Sequence, residues 1–112
     1  LKVGDEWPLV LDIHRPATSH FDGVVQARVL RPPDVFSADE LRLLARFADG
    51  IGMEYGDIDV VRDRASGLIY AVDANRTPLG GAGMALIQPA ELAVPLAAAL
   101  GRLLANWRPL AE

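Results

Sequence analysis

The sequence predicts an α+β fold, a mainly antiparallel sheet of about five strands with two helices packed on one face. Three observations predict it. β-Branched and apolar residues interleave with polar ones over Val24–Leu30, Tyr55–Asp63 and Leu68–Asn75. A helical stripe with a clear start follows Ser37, and a long apolar, alanine-rich segment runs from Pro89 or Leu92 to Trp107. The resulting order is β-β-β-α-β-β-α, read as one domain over residues 1–112.

The bulk properties narrow the function classes. The chain has 112 residues, 51% hydrophobic and 23% charged, a globular balance. It has no cysteine, which excludes disulfides, thiolate zinc sites and a cysteine nucleophile. Eleven basic residues against fifteen acidic ones give a net charge of −4, which argues against a nucleic-acid partner or an anionic membrane surface. Leu92–Leu100, the longest apolar stretch, is broken by Pro95 and is far short of the ~20 residues a membrane span needs. No basic segment followed by an apolar core marks a secretory leader, so a cytoplasmic location is expected. The chain begins with Leu and reads as a piece of a longer parent. Its only lysine, Lys2, lies at the extreme terminus; the other ten basic residues are arginines.

Leu1–Val3, the turn residues Gly4-Asp5 and the run from Trp7 to His14 predict a hairpin whose first strand is short, with Leu9–Ile13 as its stronger half. Arg15–Gly23 carries Pro16, Thr18, Ser19, Asp22 and Gly23 and predicts a loop. Val24–Leu30 places Gln26 and Arg28 on alternate positions, as a half-buried strand does, and Pro32-Pro33 ends it. Ser37-Ala38-Asp39-Glu40 is a capping box, flanked by Phe36 and Leu41 as a hydrophobic staple. Leu41, Leu44, Ala45, Ala48 and Ile51 then recur at helical spacing, and Gly50 and Gly52 are stop signals. In the last helix Pro89 suits a first helical position, and Pro95 implies a late start or a kink.

The chemistry concentrates in the last hairpin. Gly67 suits the left-handed position of a three-residue loop, Ala65-Ser66-Gly67, which makes cross-strand partners sum to 132 in residue number. Asp59 then faces Asp73 and Asp57 faces Asn75, with all four side chains on one face. The other face receives Ile58, Val60, Leu68, Tyr70 and Val72. Opposed carboxylates repel, so the pair calls for a shared proton, a nearby arginine or a divalent cation. Carboxylates with an amide carbonyl suit Mg²⁺ or Mn²⁺ rather than zinc. A one-residue slip would separate the two aspartates. The plainer alternative is a solvated acidic face with Arg62 or Arg76 as ordinary surface partners.

These residues resemble the C-terminal part of the ATP-grasp superfamily. The resemblance rests on Met53-Glu54-Tyr55-Gly56-Asp57-Ile58-Asp59-Val60-Val61-Arg62-Asp63 followed by Gly67-Leu68-Ile69-Tyr70-Ala71-Val72-Asp73-Ala74-Asn75-Arg76-Thr77-Pro78. The helix from Asp34-Val35-Phe36-Ser37 onward looks like a bacterial ATP-grasp-like group of unassigned substrate. The resemblance implies that Asp59, Asp73 and Asn75 hold Mg²⁺ on the phosphates of ATP. It also implies cofactor contacts from Arg28, Val72 and Arg76. The implied reaction in the parent joins a small-molecule carboxylate to an amine or similar nucleophile through an acylphosphate, which needs no protein nucleophile. The family's ATP-binding lysines and glycine-rich lid lie upstream, so this chain alone is expected to be inactive. Some members carry a basic residue at the position of Asp57. The alternative is a non-catalytic structural or interaction domain that keeps the fold. Homo-oligomers through apolar surface exposed by truncation are also expected.

Other candidates reduce to structural roles. His14 and His20 are six apart across a proline-containing loop and have no third ligand. Ser37 is used in capping, and Ser19, Ser66 and Thr18 suit turns. Gly80-Gly81-Ala82-Gly83 departs from the phosphate-binding glycine patterns at Leu86. Trp7 and Trp107 read as core or edge anchors. Arg102 and Arg108 complement the last helix's dipole.

Overall fold

The computed structural model describes residues 1–14, 26–77 and 87–107. Its elements, in chain order, are β1 (Lys2–Val3), β2 (Val10–His14), β3 (Gln26–Leu30), α1 (Pro32–Val35), α2 (Ala38–Gly50), β4 (Tyr55–Arg62), β5 (Ile69–Asn75) and α3 (Pro89–Asn106). The α+β class and the antiparallel pairing are as expected, with one added helical turn, α1, which begins on Pro32. The loop Arg15–Gly23, His20, the first residues of the Val24 strand, Pro78, the glycine run at Gly80 and Arg108 lie outside the described residues.

The strands divide into two sheets rather than one: β1-β4-β5 and β2-β3. This corrects the expected N-terminal hairpin. Gly4, at φ +58, and the Val3–Glu6 backbone bonds of 3.0 Å form the anticipated tight turn. The strand before it nevertheless pairs with β4, Lys2 opposite Gly56 and Val3 opposite Tyr55. A bond of 2.7 Å from the Gly4 N–H to the Glu54 carbonyl extends that edge. β2 pairs instead with β3, placing Asp12 opposite Arg28.

The capping box at α2 forms in both directions. The Glu40 N–H donates to Ser37 Oγ at 3.1 Å, and the Ser37 N–H donates to Glu40 Oε1 at 3.0 Å. The C-terminal end is a Schellman turn: the Gly52 N–H bonds the Asp49 carbonyl at 3.1 Å and the Met53 N–H bonds the Ala48 carbonyl at 2.9 Å. Gly52 takes φ +66 there, where a side chain would be strained. Leu44 and Ala48 of the predicted stripe are buried, whereas Ile51, just past the end of α2, is exposed. α3 starts on Pro89 and continues through Pro95. Arg102 of α3 binds both Glu6 oxygens from Nε, at 2.9 and 2.8 Å, so its partner is the N-terminal turn. Val3, Leu9, Leu44, Ala48, Met53, Ile87 and Ala99 form the buried apolar set. Trp107 is exposed and takes no part in it.

Candidate functional site

The β4–β5 hairpin reaches the anticipated register by a different route. The Asp63 N–H bonds the Leu68 carbonyl at 2.8 Å, and the Gly67 N–H bonds the Asp63 carbonyl at 2.8 Å. The loop therefore contains four residues, Arg64 to Gly67, and not three. Asp63 holds it by accepting from the Ser66 N–H at 3.0 Å and the Ser66 hydroxyl at 2.6 Å. Near the turn, partners accordingly sum to 131, as in Arg62–Ile69, Val61–Tyr70 and Val60–Ala71. A β-bulge between Asp59 and Val60 then leaves Val72 without a partner and resets the pairing. Beyond it, Asp59 faces Asp73, Ile58 faces Ala74 and Asp57 faces Asn75. Without the bulge, Asp59 would face Val72. The extra loop residue and the extra strand residue cancel at the aspartates.

The same shift corrects the expected apolar face. β4 alternates regularly, so Asp57, Asp59 and Val61 share one face and Ile58, Val60 and Arg62 the other. Tyr70 pairs with Val61 on the aspartate side. Leu68, Tyr70 and Val72 are 58%, 52% and 60% exposed, so they are not the buried layer expected of them. Arg62, on the other face, ties β4 to the first turn of α2: its guanidinium donates to Glu40 Oε2 at 2.7 Å and Oε1 at 3.0 Å. It also reaches the Val35 carbonyl at 3.0 Å and the Gly67 carbonyl at 2.7 Å. Arg62 and the Ser37 N–H together hold the Glu40 carboxyl down at about 2. The helix thus anchors to the hairpin while leaving the aspartate face uncovered by that contact.

Among the described residues, Asp57, Asp59 and Asp73 make no ion pair. The two arginines that could have neutralised them are engaged elsewhere, Arg62 on Glu40 and Arg76 on the Ile51 carbonyl at 2.6 Å. Partial burial raises the Asp57 pKa, and the charges of Asp59 and Asp73 raise it further. Asp73 Oδ1 accepts from the following N–H, of Ala74, at 2.9 Å. Asn75 Oδ1 accepts from the Thr77 N–H at 2.9 Å and from its hydroxyl at 3.0 Å, an Asx turn that fixes the side-chain amide. The groups that the hairpin places on this face, the opposed Asp59 and Asp73, Asp57 beside them and the Asn75 amide, are all oxygen donors, the type that suits Mg²⁺ rather than a softer metal, although Asn75 Oδ1 already accepts two bonds from Thr77. Among the described residues, no three His, Asp or Glu side chains stand in ready metal-holding positions.

The other anticipated cofactor positions are Arg28, Val72 and Arg76. Arg28 lies in the other sheet and donates from Nε to Asp12 at 2.9 Å, where His14 also bonds the same oxygen at 3.0 Å. Val72 is the bulged residue. Arg76 turns to the end of α2. Lys2, dismissed in the sequence as terminal, is 4% exposed and donates to the Gly4 carbonyl beside β4. Nothing in a lone N-terminal lysine signals such burial; it follows from the long-range β1–β4 pairing. No helix among the described residues is long and apolar enough to cross a membrane. Comparison with known proteins finds no matching family model, no matching curated protein and no matching solved structure.

Proposed function

We propose that the aspartate face of β4–β5 is half of a nucleotide–metal site in an ATP-grasp-like, ATP-dependent ligase that joins a carboxylate to an amine or similar nucleophile. The observation that carries the proposal is the cross-strand pair Asp59–Asp73, set by a bulge and lacking an ion-pair partner among the described residues. Asp59, Asp73 and Asn75 would hold the cation, with Asp57 beside them keeping the face negative. Bound Mg²⁺ would neutralise charge on the ATP phosphates without any proton transfer. The chain's own contribution is to present these oxygens from a register fixed by the Asp63–Ser66 loop and the bulge. Arg28 is tied to Asp12, and phosphate contacts would fall to groups beyond this face.

A non-catalytic interaction domain is the competing reading, favoured by the exposed apolar side chains Val61, Leu68, Tyr70 and Val72 around the hairpin. The two readings separate on one experiment. Mg²⁺-dependent release of ADP by the complete encoded protein should be lost in Asp59→Asn and Asp73→Asn variants that retain their circular dichroism. Full turnover in both variants would remove the proposed roles.

A further inference from the structure

An open cavity of about 460 Å³ lies at the junction of α2, the segment after it and the end of β5, lined by Asp49, Gly52, Met53, Glu54, Tyr55 and Arg76. It does not include Asp59, Asp73 or Asn75. We propose that it binds a small amino-acid-like zwitterion, with the ligand's carboxylate on Arg76 and its ammonium beside Asp49 and Glu54. This inference is independent of the metal reading.

The charges decide the ligand class. Arg76 uses one N–H on the Ile51 carbonyl, and a guanidinium has five. That bond fixes the side chain against the end of α2 while leaving donors for a carboxylate. Among the described residues, the Asp49 and Glu54 carboxylates accept no side-chain hydrogen bond and form no ion pair. Asp49 also stands in the last turn of α2, where the helix dipole favours a cation. A lone anion at Arg76 would meet two carboxylates, and a lone metal ion would meet the guanidinium. A molecule carrying both signs satisfies all three. Met53, 2% exposed, and the half-buried Tyr55 complete the lining. Two acids against one arginine leave one negative charge in excess, so a diamino acid should bind better than an acidic one.

The test is a titration of the ¹⁵N-labelled chain with L-lysine, L-glutamate, acetate and methylamine, each at equal concentration. L-Lysine should shift the amide signals of Gly52, Glu54 and Arg76 with a millimolar Kd, at least about fivefold tighter than L-glutamate. Acetate and methylamine should not saturate. Glu54→Gln and Arg76→Gln should each weaken L-lysine about tenfold. The Glu54 side chain makes no hydrogen bond among the described residues, so its variant decides the matter if Arg76→Gln unfolds. Equal binding of L-lysine, acetate and methylamine, preference for L-glutamate, an unaltered Kd in Glu54→Gln, or no saturation by L-lysine would each overturn the proposal.

Discussion

Replacing Asp59 with asparagine should stabilise the metal-free chain. Asp59 and Asp73 are directly opposed and exposed, and neither has an ion-pair partner among the described residues. Opposed side chains on an antiparallel pair have Cβ atoms roughly 4.5–5.5 Å apart, and carboxylates there repel. At a charge separation of about 6 Å in high dielectric, the repulsion is about 0.7 kcal/mol, falling to about half that at 0.1 M salt. The partly buried Asp57 adds to it. For a domain of this size the gain corresponds to a rise in Tm of roughly 3–5 °C at low ionic strength. The assay is a thermal melt followed by circular dichroism, with and without Mn²⁺. Wild type should gain Tm on adding the ion, and Asp59→Asn should start higher and respond little. A variant that melts below wild type without metal, or that gains as much from Mn²⁺, would refute the reasoning.

Other consequences follow from the same contacts. Ser37→Ala removes one arm of the capping box and should cost about 1 kcal/mol, read as a lower urea midpoint at unchanged slope. The Glu40 carboxyl, ordinarily near 4.5, titrates at about 2 in the fold, so its contribution to stability is complete above 4.5 and should vanish as pH falls from 4.5 towards 2. Glu40→Gln should flatten that part of a pH–stability profile. Asp57 has the opposite sign: its raised pKa favours the fold at low pH and is lost as pH rises through the raised value. Gly56→Ala should destabilise by roughly 1–3 kcal/mol, because φ is +153 and a Cβ would lie 2.8 Å from Met53 Sδ and against the Asn75 carbonyl. Chemical denaturation checks the size of that loss.

Local chemistry was legible in the sequence, and long-range pairing was not. Ser37 and Glu40 announce α2 because a capping box is a contact between residues three apart. Gly52 announces its end for the same reason. By contrast, nothing within Leu1–Val3 tells whether it pairs with its neighbour or with Tyr55-Gly56 some fifty residues on. The hairpin register shows an intermediate case. Turn chemistry at Gly67 pointed to three loop residues, but Asp63 captures Ser66 and closes a four-residue loop. Val72 bulges in compensation, so the Asp59–Asp73 pair was anticipated correctly from a turn that is not the one formed. A bulge leaves no mark in an alternating apolar pattern, since it depends on which residues pack across the strands. The partners of Arg28 and Arg76 were not legible because an arginine's partner is chosen in three dimensions: Asp12 across a strand for one, a helix-end carbonyl for the other.

The central claim is that a divalent cation belongs on the aspartate face, and paramagnetic broadening tests it most directly. Substoichiometric Mn²⁺ added to the ¹⁵N-labelled chain should broaden the amide signals of Asp57, Asp59, Asp73 and Asn75 first. The β2–β3 sheet around Asp12 and Arg28 should stay sharp, and excess Mg²⁺ should reverse the effect. Broadening spread evenly over all exposed acidic residues, or unchanged in Asp59→Asn, would contradict the account.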